Sequence, residues 1–126
     1  MYYRSAEGAI IFFDISNRES FEHVPKWIEE IISNVDDIPI LIVGNFMTEE
    51  SKRKVERKEA ENLALGSQAY YTESYVDDLT AINNIFYSLS SMMIGIDVPD
   101  QYLSYKRNRS DTNIWKKNTE IKINRF

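Results

Sequence analysis

Three short apolar runs, rich in β-branched and aromatic residues, recur along this chain, each followed by a helical stripe. That alternation restricts the fold more than any other feature. Ala9 to Ile15, interrupted only by Asp14, and Ile38 to Val43 are short apolar runs, the pattern of strands buried on both faces. Ala69 to Thr72 is a third and shorter one. Between Ser16 and Val35, apolar residues stand at Phe21, Val24, Ile28, Ile31, Ile32 and Val35, at the spacing of one helix face. Ser20 is its expected N-cap, and Pro25 either marks the first turn or bends the helix start. Glu56 to Leu65 is charged on one face and carries Ala60, Leu63 and Ala64 on the other, with Gly66 suited to the C-cap. Asp77 or Asp78 is expected to cap a last helix, in which Leu79, Ile82, Phe86, Leu89 and Met93 recur at intervals of three and four. Strand and helix alternate three times, which predicts an α/β fold on a parallel sheet.

At 126 residues and 43% hydrophobic content, the chain can bury one core. It has no Cys, which excludes disulfides and thiolate metal sites and fits a cytoplasmic protein. Its longest apolar run falls far short of the ~20 residues a spanning helix needs, and nothing resembles a signal peptide. The one His, His23, stands near a helix start, so neither a two-His metal site nor a Ser–His pair is indicated. Asp36-Asp37, Glu49-Glu50 and Asp77-Asp78 read as loop acids and helix caps.

Four landmarks in order carry a resemblance to a known family. Met1-Tyr2-Tyr3-Arg4-Ser5-Ala6 is followed by Gly8-Ala9-Ile10-Ile11-Phe12-Phe13-Asp14-Ile15-Ser16-Asn17, then by Ser20-Phe21, then by Trp27-Ile28-Glu29-Glu30-Ile31. This resembles the second half of a Rab-type small GTPase of the Ras superfamily, from the Tyr-Tyr-Arg segment that closes the second switch region. The likeness runs to about Met93. It implies a partial Ras-like fold, with three parallel strands alternating with three helices and without the N-terminal strands and phosphate-binding loop. It divides the chain into a truncated GTPase-like domain, 1–95, and an extension, 96–126.

The resemblance also locates the chemistry. The family's Gly-x-x-x-x-Gly-Lys-Ser/Thr loop and its Asp-x-x-Gly do not occur in this chain, and phosphoryl transfer of this kind depends on them. No catalytic residue is therefore expected. In the guanine-reading half, Asn45-Phe46-Met47-Thr48 stands where the family has Asn-Lys-x-Asp, and Ser74-Tyr75-Val76 where it has Ser-Ala-Lys. Asn45 and Ser74 match. Phe46 replaces the Lys whose stem lies along the base, and Thr48 replaces the carboxylate that accepts from two guanine donors, a bidentate contact a hydroxyl does not reproduce. Losing such a contact removes ~2–4 kcal/mol of recognition. Asn45, Phe46, Thr48, Ser74 and Tyr75 are thus remnant guanine loops, and Asn45 and Ser74 read most simply as loop residues satisfying local backbone groups. No cofactor is expected for the chain alone, and GTP or GDP with magnesium only if the family site is restored.

The family's protein-contact face maps to Tyr2, Tyr3, Arg4, Phe21 and Trp27, with Trp27 also readable as simple helix packing. The implied function is a pseudo-GTPase acting through protein contacts in vesicle traffic or signalling. The alternatives are the C-terminal portion of a GTP-hydrolysing switch protein, and a structural subunit of a larger assembly. Removing the family's first strand would leave Ile10-Ile11-Phe12-Phe13 as a flat, uncharged edge that recruits another strand. A longer gene product, an assembly, or a folded-back extension would each cover it. The extension carries seven cations and two acids from Gln101 onward, a net +5, in a chain of net −5, which leaves the body at about −10. Tyr102, Tyr105 and Trp115 sit among these cations, the look of a nucleic-acid contact. Without a defined motif, the cations point instead to a flexible or partner-docking tail. With no Cys there is no prenyl anchor, so membrane contact is expected to be peripheral at most.

Overall fold

A computed structural model describes residues 6–35, 37–46, 52–75, 77–96, 98 and 103. Strand β1, Ala9–Asp14, leads into a short helix α1, Arg18–Glu22, and then α2, Val24–Asn34. Strand β2, Ile40–Phe46, is followed by α3, Arg57–Gly66, then by β3, Tyr70–Tyr75, and finally α4, Leu79–Met93. The three strands form one parallel sheet in the order β1-β2-β3, as the alternation predicts.

The apolar runs are buried from both sides because the sheet is covered on both. Ile11, Phe13, Ile15, Ile40, Ile42 and Tyr71 point to one face, where they meet Phe21 of α1, Val24, Ile28 and Ile31 of α2, and Ala60 and Ala64 of α3. Leu41, Val43 and Tyr70 point to the other face, where they meet Ile85 and Met92 of α4. Val98 and Leu103 are buried in that second core.

Several local expectations change. The helix predicted from Ser16 to Val35 is broken at His23, which ends α1 and begins α2, because Pro25 at the start of α2 withholds an N–H from the preceding turn. The N-cap of α1 is Asn17, whose side chain accepts from the Ser20 N–H. Ser20 itself turns back to β1, its Oγ accepting from the Asp14 N–H at 2.9 Å. Beyond α3, the C-cap is Ser67 rather than Gly66, and Gln68 takes the left-handed turn at φ 56°. Asp78 caps α4 by accepting from the Ala81 N–H. Strands β2 and β3 both run further than their apolar runs, through Asn45-Phe46 and Glu73-Ser74-Tyr75.

The largest correction concerns α4. Of the stripe Leu79, Ile82, Phe86, Leu89 and Met93, Leu89 packs against the sheet core, while Leu79, Phe86 and Met93 are exposed. The fully buried residues of α4 are instead Ile85, Ser88, Ser91 and Met92, and the small Ser88 closes against the helix's own Asn84 carbonyl. Leu79 is 74% exposed and Phe86 57%. All fifteen residues of α4 are uncharged, so apolar spacing picks out more than one face, and the sheet takes the one with the smaller side chains.

Candidate functional site

At the C-terminal ends of β2 and β3, parallel pairing sets Asn45 beside Ser74 and Phe46 beside Tyr75. These four expected site residues are therefore strand neighbours in register, not residues of two separate loops. Ser74 Oγ donates to Asn45 Oδ1 at 2.6 Å. The rings of Phe46 and Tyr75 stack with centroids 5.2 Å apart and planes at 25°, a contact worth about 0.5–1.5 kcal/mol beyond burial. The Arg53 guanidinium lies 5.1 Å from the Phe46 centroid, inside cation–π range. Thr48, the fifth predicted residue, lies outside the described residues.

Arg53 also belongs to a polar cluster that the sequence reading does not anticipate. Its two terminal nitrogens donate to the Glu73 carboxylate at 3.1 and 2.8 Å, and one of them donates to the Val55 carbonyl at 2.7 Å. Arg57 adds a third donor to Glu73 at 2.9 Å, and Tyr71 OH a fourth at 2.7 Å. The Glu73 side chain is only 7% exposed. Burial raises its pKa, but the hydrogen bonds from Arg53 and Tyr71 and the charges of both arginines outweigh this and hold it below the ordinary carboxylate value. Burial, then the bond to Glu73, pushes the Tyr71 hydroxyl well above its ordinary value. Every lone-pair direction of Glu73 is engaged, so the group is neither a free base nor an open ligand. The signal for it is a carboxylate inside a strand otherwise made of Tyr, Thr and Ser.

Gly44 makes room for this cluster. A Cβ there would lie 2.5 Å from Tyr71 OH and 2.9 Å from Ile15 Cδ1. Among the described residues, no group of three or more His, Asp or Glu could hold a metal ion. Phe12, Asn45, Ser74, Ile82, Ile85 and Phe86 line a shallow cleft of about 200 Å³ beside the paired strand ends. On the opposite face of the sheet, Phe21 is a core residue against Phe13, whereas Trp27 on α2 projects outward at 49% exposure. Tyr2, Tyr3 and Arg4 lie outside the described residues.

The Ras family profile matches residues 1–95. The chain belongs to the Ras family. Its relatives place it with the Rab-type members: it is 33% identical over 93 residues to Ras-related protein RABA4b of Arabidopsis thaliana, covering 73% of this chain and 42% of that protein. It is 40% identical over 87 residues to Ras-related protein Rab-39A of Mus musculus, covering 68% and 40%. Against Ras-related protein Rab11C of Nicotiana tabacum it is 30% identical over 113 residues, covering 89% and 50%. The chain thus spans about half the length of the curated relatives it matches. Asn45 and Ser74, the residues expected from the sequence to match the family's guanine-reading motifs, are bonded to each other, and Phe46 is stacked on Tyr75. No helix among the described residues is long and apolar enough to cross a membrane.

Proposed function

We propose that this chain is a Rab-type protein-contact module that does not read guanine nucleotide. One observation carries the reading: the two residues that match the family's base-contacting motifs satisfy each other, and the two that depart from it stack. A base would have to separate Ser74 from Asn45 and unstack Phe46 from Tyr75, with only the Thr48 hydroxyl in place of a bidentate carboxylate. Breaking a charge-free hydrogen bond and an aromatic pair costs about 1–3 kcal/mol before any new contact is made. The residues present do not fit guanosine phosphates, and no hydrolytic step is assigned to them.

The contact surface in this reading is the α2 side of the molecule, where Trp27 stands outward, together with the Tyr2-Tyr3-Arg4 segment. Its partners are proteins of vesicle traffic or signalling, in keeping with the Rab relatives. Titration of the folded 126-residue chain with fluorescent GDP and GTP in magnesium buffer tests the reading. No saturable binding by a chain with α/β circular dichroism is expected; micromolar or tighter binding would overturn it.

A second reading is favoured by the share of the relatives that is matched, between 40% and 50% of the three proteins named above. In it, these residues complete a GTP-hydrolysing switch together with further sequence. A transcript encoding Gly-x-x-x-x-Gly-Lys-Ser/Thr upstream and in frame would decide for this second reading.

A further inference from the structure

The last helix ends in a way that turns the chain back toward the sheet. Gly95 takes the left-handed conformation, at φ 77°. Its N–H donates to the Met92 carbonyl at 3.2 Å, and the Ile96 N–H donates to the Ser91 carbonyl at 2.8 Å. These are the two bonds of a Schellman stop, which satisfies the last helical carbonyls and reverses the chain. A side chain at position 95 would strain that turn.

Beyond Ile96 the two described residues are both buried, Val98 at 2% exposure and Leu103 at 8%. They pack in one cluster with Leu41, Tyr70 and Met92. Leu41 and Tyr70 are register partners at the N-terminal ends of β2 and β3, so the floor under the two residues spans two strands and the end of α4. Ile94 and Ile96, by contrast, are 70% and 54% exposed. The chain leaves the core at the cap and re-enters it at Val98 and Leu103.

Only these two anchors are set against the backbone entropy of ordering the eight residues from Ile96 to Leu103. That balance is close. The opposite face of the sheet is closed far more heavily, by residues of α1, α2 and α3. A segment held at two points over an otherwise complete fold is the kind that opens locally, before the rest unfolds.

We infer that this return is a hinged strap, with Gly95 as its hinge and Val98 and Leu103 as its anchors. It opens on its own to bare Leu41, Tyr70 and Met92 while the rest of the sheet stays folded. Closed, it makes the chain up to Leu103 part of the folded unit, past the boundary at 95 that the family likeness suggests. Open, it offers an apolar floor at the end of the strands remote from Asn45 and Ser74. The inference concerns a different part of the molecule from the nucleotide-loop remnants and stands independently of the proposed function.

The Cys-free sequence lets single thiols report the opening. Met92→Cys places one under the strap, and Val24→Cys places one in the core of the opposite face. Both are labelled with an aromatic disulfide reagent in the full chain under native conditions. Met92→Cys is expected to react at least tenfold faster than Val24→Cys. Adding Leu103→Asp or Gly95→Val should speed it tenfold or more again and leave Val24→Cys unchanged. Equal rates at the two thiols would overturn the inference, because opening would then be global. So would a Met92→Cys rate indifferent to Leu103→Asp or Gly95→Val in a folded chain. If a thiol variant does not fold, hydrogen exchange makes the same comparison on the natural side chains. Leu103→Asp should then speed exchange of the Tyr70–Tyr75 and Ser88–Met93 amides tenfold or more and spare Val24–Asn34; equal speeding of both groups, or none, refutes the strap.

Discussion

The two faces of the sheet are unequally finished. On the face of α1, α2 and α3, Phe13 lies between Phe21 at 5.1 Å and Tyr71 at 6.1 Å, and the strand residues there are closed over by three helices. On the face of α4, one helix covers β2 and β3, and Phe12 is left half exposed. Phe12 and Phe13 are adjacent in sequence and identical in type, so composition cannot explain their difference. The pleat sends them to opposite faces, and among the described residues only one face has enough helix to cover three strands.

The difference has measurable consequences. Phe13→Ala removes a ring with partners on two sides and should cost about 3–5 kcal/mol in urea denaturation, whereas Phe12→Ala should cost about 1 kcal/mol or less. Equal losses would mean that both faces are closed to the same degree. Within the finished face, Glu73→Ala leaves two arginines and the Tyr71 hydroxyl without their acceptor. Removing one partner of a buried pair costs ~3–5 kcal/mol, and the partial exposure of both arginines reduces this to about 2. Gly44→Ala drives a methyl against Tyr71 OH and Ile15 and should cost about 1–3 kcal/mol; a loss smaller than a few tenths would show that this region yields easily.

The same cluster sets a pH window. Glu73 has a folded pKa below its ordinary value of 4.5, so its contribution is complete above that value and is lost as pH falls through the lower folded one. Tyr71 has a folded pKa above its ordinary value of 10.0, so its contribution is complete below pH 10 and is lost as pH rises toward the higher folded one. Denaturation midpoints should therefore decline at both ends, and Tyr71→Phe should remove the alkaline arm and, by taking one donor from Glu73, also weaken the acid arm. The smallest expected effect is that of Trp27→Ala, within ~0.5 kcal/mol for stability, while any protein captured through the α2 surface should be released.

How much of this was legible in the sequence follows from where each pattern resides. Strands buried on both sides write themselves as continuous apolar runs, so β1 and the greater part of β2 are readable directly. The runs stop at Val43 and Thr72, yet the strands continue through Gly44-Asn45-Phe46 and Glu73-Ser74-Tyr75, because there the ladder is supported by polar and aromatic cross-strand pairs. Orientation of α4 is not readable, since a helix apolar around its circumference has no single preferred stripe. Nor is the pairing of Arg53 with Glu73, twenty residues apart, which depends on the chain passing around α3 before β3 enters the sheet. Asn45 and Ser74 are singled out by their likeness to the family motif, but their bond to each other comes from strand register alone.

The Ser20 side chain has a consequence for how this molecule would fail. By occupying the Asp14 amide, it limits the open edge to two outward-facing residues, Ile10 and Phe12. Cross-β stacking needs segments of about six or seven residues with every backbone group available. An edge that stops after two such residues can seat a single short guest but cannot template a growing fibre. Association through this edge should therefore yield small discrete oligomers rather than filaments, with one serine hydroxyl acting as the terminator of assembly.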